Sequence, residues 1–413
     1  MNHAADLRLA ASRLPASHAA LTAALRRPLR VALFSGNYDC VRDGANQALN
    51  RLVAYLLHRV HAEVRIYSPT APRKAFDSVG DIRSVRSISI PGRPEYRVAL
   101  GFPQATQQDF EDFAPDIVHL SAPDLLGRQA QKHARARGIP VVASLHTRFE
   151  TYLDYYRLSF LRMPVQRYLD RFYGDCVRIL CPTRPIAREM GARFGPERIA
   201  IWGRGIDPAC FRPALRDQDF RASLGYSTDD VVPLFFGRLV REKGLGIFAA
   251  TINAIRAQGL AIRPLIIGDG PARGWLAERL PNATFMGHLS GEALGRAVAS
   301  ADILINPSVT EAFGNVNLEA MASGLAIVSA NVPSASALIA EGRTGLLVPP
   351  RAVGAYATAV AGLLRQPHRR AALGTAAAEA AARFTWDDVL EDVARSYAHV
   401  LNVPLAMPAA RAA

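Results

Sequence analysis

A chain of 413 residues, 50% hydrophobic and 21% charged, is ordinary globular material with room for two compact cores. No stretch approaches the roughly 18 to 20 uninterrupted apolar residues of a membrane-spanning helix. Cys40, Cys176, Cys181 and Cys210 form neither a C-x-x-C pair nor a secreted disulfide framework, so buried free thiols in a reducing cytosol are expected, and metal ligation by them is not.

Residues 1–28, broken by arginines and prolines, read as a poorly ordered tail without a cleaved signal. From Arg30 onward short β-branched runs alternate with amphipathic stretches. RVALFS (30–35), AEVRIYS (62–68), DIVHL (116–120), VVASLH (141–146) and RILCP (178–182) read as buried parallel strands, each followed by a helix-length segment. A Pro- and charge-rich linker is predicted near 207–230. Beyond it VVPLFFG (231–237), RPLIIG (263–268), ATFMG (283–287), DILINP (302–307), LAIVSA (325–330) and GLLVP (345–349) form a second series. The rhythm predicts an α/β chain of two doubly wound Rossmann-like domains facing across a cleft, one over 29–210 and one over 211–384. A last helix over 385–402 opens on Thr385 as N-cap, with two acidic residues in its first turn that suit the helix dipole. Of the 49 Lys and Arg and 36 Asp and Glu behind the net charge of +13, 30 and 19 fall in residues 1–210. The N-terminal half is therefore the basic one, a match in charge for nucleic acid or for an anionic membrane surface.

The segment EAFGNVNLE (311–319) sets two glutamates eight positions apart. On one continuous helix they would be about 80° out of phase. Gly314 and Asn315 instead predict a loop that turns into a helix near Val316, with Asn315 as its N-cap. Free N–H groups at such a helix start form an anion site. Glu311 lies before it and Glu319 one turn beyond, so a phosphate held there would have one carboxylate towards each of its substituents. A nucleotide-sugar has that layout: sugar hydroxyls on one side, a ribose diol on the other, diphosphate between. Taken alone, two such glutamates read more readily as solvated surface residues. FFGRLVREKG (235–244) adds Arg238 and Lys243 on a strand-end loop, and Lys243 is one of only three lysines, with Lys74 and Lys132. Two cations there can neutralise a diphosphate leaving group without Mg²⁺. IIGDGP (266–271) adds a strand and glycine turn, weak as a nucleotide signal by itself.

In this combination and order the C-terminal half resembles the retaining GT-B glycosyltransferases with the E-x7-E motif, glycosyltransferase family 4. The matching segments are FFGRLVREKG, IIGDGP, FMGHLSGEAL, ADILINPSVTEAFGNVNLEAMASGLAIVSA and GRTGLLVPP. The resemblance implies that Glu311 contacts the donor sugar, that Glu319 binds the ribose hydroxyls, and that Arg238 and Lys243 hold the diphosphate with the backbone of Phe313, Gly314, Asn315 and Val316. It places Leu289 against the base. In the N-terminal half it matches more loosely. SGNYDCVRDGANQALNRL (35–52) occupies the place of the family's glycine loop, with Gly44 at a helix start where a backbone can approach the donor phosphate. His146, at the end of VVASLH, occupies the position beside the C6 side of the transferred sugar. The resemblance also implies a C-terminal helix that crosses back to the N-terminal domain.

The landmarks PDIVHLSAPDLLG, HTRF, CPTRPIAREM and IAIWGRGIDPACFRP are most similar to the glycolipid-forming members, sulfoquinovosyl diacylglycerol synthase and bacterial phosphatidylinositol mannosyltransferases. Arg148, two residues past His146, is a candidate to face an acidic C6 group, with an exposed structural cation as the plainer alternative. YLDYYRLSFLRMPVQRYLDRFY (152–173) mixes Arg157, Arg162, Arg167 and Arg171 with aromatics, which suits either a peripheral membrane face or a core helix with a solvated basic side. The expectation is a metal-independent, retaining hexosyltransferase using a UDP- or GDP-sugar and no cofactor. Its acceptor is a membrane lipid in bacterial glycolipid synthesis, at the cytoplasmic face of the inner membrane. The alternatives are a soluble transferase acting on polysaccharide or small molecules, a nucleotide-sugar epimerase or phosphorolytic enzyme, and a basic nucleic-acid-binding protein, for which no recognition motif is present.

Overall fold

The computed structural model describes residues 16–41, 43–72, 74–90, 93–146 and 159–404. They form two units, one made of described residues up to 203 together with 387–404, the other of 204–386.

The first unit is built on strands β1 (Arg30–Phe34), β2 (Glu63–Ser68), β3 (Asp81–Ser84), β4 (Ser87–Ile90), β5 (Arg93–Ala99), β6 (Ile117–Leu120), β7 (Val141–Ser144), β8 (Arg178–Cys181) and β9 (Ile199–Ile201). Seven make one parallel sheet in the order β3-β2-β1-β6-β7-β8-β9, while β4 and β5 pair antiparallel apart from it. All four residues of β6 and of β7 are buried, as expected where helices cover both faces of a parallel sheet. The order reverses between β1 and β6, and ligands of such sheets sit at the carboxyl ends of the strands flanking the reversal. There β1 runs into the loop that ends at the helix Gly44–His58, whose N-cap Asp43 accepts a hydrogen bond from the Asn46 N–H at 2.9 Å.

The second unit carries β10 (Pro233–Phe236), β11 (Leu265–Ile267), β12 (Thr284–Phe285), β13 (Ile303–Asn306), β14 (Ala326–Ala330) and β15 (Leu346–Val348). They form one parallel sheet in the order β12-β11-β10-β13-β14-β15. Its reversal falls between β10 and β13, which sets the loop after Phe236 beside the loop after Asn306.

Three expectations need correction. The tail is ordered from residue 16. A helix Ala16–Leu25 buries Leu21, and His18 Nδ1 lies 2.7 Å from the Val60 carbonyl oxygen; one apolar anchor and one polar tie suffice to dock it. The predicted boundary at 210/211 lies instead at 203/204. Residues 204–210 are tied into the second unit by Ile206 N–H donating to Phe384 O at 2.7 Å and by Gly295, where a Cβ would stand 1.7 Å from Cys210 O. The return to the first unit comes at 386/387 rather than 384/385, since Thr385 still pairs with Ile206. From Asp387 on, the helix Trp386–Val400 packs in the first unit, with Tyr55 OH donating to Glu391 at 2.9 Å. Cys40, Cys176 and Cys181 are buried and Cys210 half-buried, all as free thiols. No helix among the described residues is long and apolar enough to cross a membrane.

Candidate active site

The reversal between β10 and β13 assembles the second unit's site. Past β10 the chain continues its pairing with the end of β11: Gly237 N–H donates to Ile267 O at 3.0 Å and Leu239 N–H to Asp269 O at 2.8 Å. A Cβ at Gly268 would stand 1.9 Å from Gly237 O, so only glycine permits this approach. Arg238, half-buried, sits within this paired segment. A short 3₁₀ turn Arg241–Lys243 ends at Gly244, which has φ +78° and no room for a side chain against Pro307 O.

That close approach carries Lys243 to the other loop. Its Nζ donates to Glu311 Oε1 at 2.5 Å, and Ser308 Oγ donates to the same oxygen at 3.2 Å. Burial pushes the Glu311 carboxyl up, but the Lys243 ammonium and its hydrogen bond, the Ser308 hydroxyl and the Arg238 guanidinium together outweigh it. They hold the group below the ordinary glutamate value. Lys243, Glu311 and Arg238 therefore form one electrostatic cluster.

The chain then enters the helix Asn315–Ala322. Its N-cap is Gly314, at φ +93° and ψ 52°, not Asn315 as the sequence predicted. The turn demands a left-handed residue at that point, which glycine adopts without strain, and Asn315 becomes the first helical residue. The N–H groups of Asn317 and Leu318 donate to Gly314 O, at 2.9 and 3.3 Å. The N–H groups of Asn315 and Val316 precede the first intrahelical bond, the position at which a helix start can take an anion. Phe313 is buried beneath the turn, and Glu319 lies half-buried one turn in. Leu289, in the loop after β12, is half-buried against the core beside Met286.

The sequence reading missed what pins this helix. Asn306, closing β13, donates from Nδ2 to Asn317 Oδ1 at 2.9 Å and accepts from Ser308 N–H at 3.2 Å; Asn317 Nδ2 donates to Ser329 Oγ at 3.3 Å. The available signal was two asparagines inside an otherwise apolar strand-and-helix pattern.

In the first unit His146 stands two residues beyond the end of β7. Its Nε2 lies 2.8 Å from Ser144 Oγ, and its ring meets Trp202 edge-on at 4.8 Å between centroids. Gly44 is the first residue of its helix, as predicted. Arg148 and Arg157 lie outside the described residues. Of the predicted 152–173 segment, the helix Arg162–Gly174 buries Leu169, Phe172 and Tyr173 while Arg162, Arg167 and Arg171 are exposed.

Residues 42–209 match the model of Glycosyltransferase Family 4, and residues 230–366 match that of Glycosyl transferases group 1. The chain is 30% identical to a GDP-mannose-dependent alpha-mannosyltransferase of Mycolicibacterium smegmatis, over 91% of this chain and 98% of that one. It is 27% identical to the sulfoquinovosyl transferase SQD2 of Arabidopsis thaliana, over 88% of this chain and 72% of the other. Among solved structures, Anabaena HepE in complex with UDP superposes with a TM-score of 0.69 at 16% identity, covering 90% of this chain and 100% of that one. The two parallel sheets are those of the GT-B fold, and the chain belongs to glycosyltransferase family 4, as a hexosyltransferase.

Proposed function

We propose that the protein transfers a hexosyl or hexuronosyl group, with retention of configuration and without a metal ion, from a UDP- or GDP-sugar to a membrane lipid. The observation that carries this reading is the cluster of Lys243, Glu311 and Arg238 beside the start of the helix Asn315–Ala322. Two cations and free backbone N–H groups suit a diphosphate, and a carboxylate kept ionised among them suits sugar hydroxyls.

In the transfer, the bond from the anomeric carbon to the diphosphate oxygen breaks and a bond to the acceptor oxygen forms. The nucleoside diphosphate leaves, and its phosphate takes the acceptor's proton. Arg238 and Lys243 oppose the charge that grows on the leaving group, the role a divalent cation fills elsewhere. His146 lines the sugar's side of the first unit's site. Both donor bases occur among the relatives and structural neighbours: one relative is named for GDP-mannose, while the HepE structure holds UDP.

The lipid acceptor rests on the outer side of the helix Arg162–Gly174. Arg167 and Arg171 are exposed there with Met163, 59% exposed, and Phe160, in the turn just before the helix, is 75% exposed. Cations beside bare apolar side chains suit the interface of an anionic membrane. A panel of UDP- and GDP-sugars tests the donor by thermal shift and by turnover in EDTA. The expected result is stabilisation by the nucleotide-sugars of one base, with turnover unaffected by the chelator. No stabilisation by any member, or turnover abolished by EDTA and restored by Mg²⁺, overturns the reading.

A further inference from the structure

The interior of the first unit holds polar groups that donor binding does not account for. Ser144 closes β7, His119 lies in the neighbouring β6, and Tyr397 reaches His119 from the helix Trp386–Val400. They form one file of hydrogen bonds ending at His146. Tyr397 OH stands 2.5 Å from His119 Nδ1, His119 Nε2 stands 2.9 Å from Ser144 Oγ, and Ser144 Oγ stands 2.8 Å from His146 Nε2. Trp202 packs edge-on against both imidazoles, at 5.5 Å from His119 and 4.8 Å from His146 between centroids. His119 and Tyr397 are fully buried, and Ser144 is 2% exposed.

The hydrogens in this file can be assigned from what each group can offer and accept. Burial pushes the His119 imidazole down to about 3, so at neutral pH it is uncharged and carries a single N–H. Burial also raises the Tyr397 phenol, which keeps its hydrogen. If His119 carried its hydrogen on Nδ1, it would donate to the Tyr397 oxygen. The Tyr397 hydrogen would then be buried with no other acceptor among the described residues, which is costly for a buried donor. With the hydrogen on Nε2 every group is served: Tyr397 donates to His119 Nδ1 and His119 Nε2–H donates to Ser144. Ser144 Oγ can then turn its own hydrogen to His146 Nε2 at 2.8 Å, or accept from His146 as well and turn it to the Leu120 carbonyl at 3.4 Å; the first keeps every bond of the file at 2.9 Å or less.

We propose that Tyr397, His119 and Ser144 are positioning residues that hold His146 as a fixed ring whose Nε2 accepts and whose Nδ1 carries the hydrogen. A side chain of the C-terminal helix thereby sets the tautomer of a residue at the substrate site. This rests on the reading of His146 as a residue that touches the donor sugar, and the test separates the two.

Nitrogen-15 imidazole spectra of the wild-type protein at pH 8, with His146→Gln and His119→Gln used only for assignment, report which nitrogen of each ring is protonated. The expected result is a protonated Nδ1 on His146 and a protonated Nε2 on His119; the reverse on either ring overturns the relay. Tyr397→Phe and Ser144→Ala should each lower kcat about tenfold with donor KM unchanged, and should cause no further loss when added to His146→Ala. Losses that add to that of His146→Ala mark a merely structural role and overturn the relay as well. Wild-type turnover in His146→Ala overturns the parent reading of that histidine instead, while the spectra still decide the tautomer.

Discussion

Lys243 and Glu311 keep only 18% and 21% of their side chains exposed, and in a pair so placed the cost of desolvation offsets much of the mutual attraction, which leaves little net stability. Its importance is chemical. The ammonium that is to meet a diphosphate is held by the carboxylate that is to meet the sugar, so both groups are pre-positioned and both remain charged. Glu311→Ala should lower kcat about 10²- to 10³-fold while changing donor KM much less, the pattern of a contact made chiefly in the transition state. Its melting temperature should stay within a few degrees of wild type. Steady-state kinetics with the cognate donor checks this, and unchanged kcat would remove Glu311 from the chemistry. Lys243→Ala should raise donor KM and lower kcat together. These two residues were legible in the sequence because each belongs to a motif and one is a rare residue type in this chain. Ser308, Asn306, Asn317 and Ser329 were not, since isolated polar residues in and after strands and in a helix's first turn look ordinary until their partners are known.

The loops are shaped by glycines that have no alternative. Gly268 has φ +135° and lies where a Cβ would sit 1.9 Å from Gly237 O, so Gly268→Ala must part the segment carrying Arg238 from the end of β11. A loss of roughly 3 kcal/mol or more is expected, from strain and broken backbone pairing together. Gly354, exposed in the helix Val353–Arg365 where an added Cβ would meet nothing within 4 Å, is the matched control. Gly354→Ala should stabilise by roughly 0.5–1 kcal/mol, the ordinary helix preference of alanine over glycine. Urea unfolding of both variants checks the pair, and equal midpoints would contradict the account of the Gly268 turn. The eleven predicted strands were readable because buried parallel strands are continuous apolar runs. β3, β4, β5 and β9 escaped: β3 and β4 are Ser-containing and mostly exposed, and β9 is an edge strand with no fully buried residue. The helix at 16–25 escaped for a related reason, because an alanine-rich stretch in which Leu21 is buried shows no clear amphipathic period.

The charge of the chain is carried by its first half, and that unit also bears the exposed basic and apolar side of the helix Arg162–Gly174. Purified protein should bind vesicles containing anionic lipid and release them as salt rises past the point where the Debye length falls below about 8 Å. Replacing Phe160 and Met163 by Ser should weaken that binding without altering donor-induced stabilisation. Equal binding to zwitterionic vesicles in a flotation assay would contradict it.

By itself the sequence determined the two α/β units and the strands of both sheet centres, because each is written in local spacing as apolar runs between turns, and its motifs carried the resemblance to the glycosyltransferase family. Tertiary structure alone decided which distant residues meet. Strand order, not proximity along the chain, brings Lys243 to Glu311 across 68 positions and Tyr397 to His119 across 278. A strand's own residues specify that it will be buried, but its neighbours are chosen by how the crossovers wind, and no local pattern records that choice.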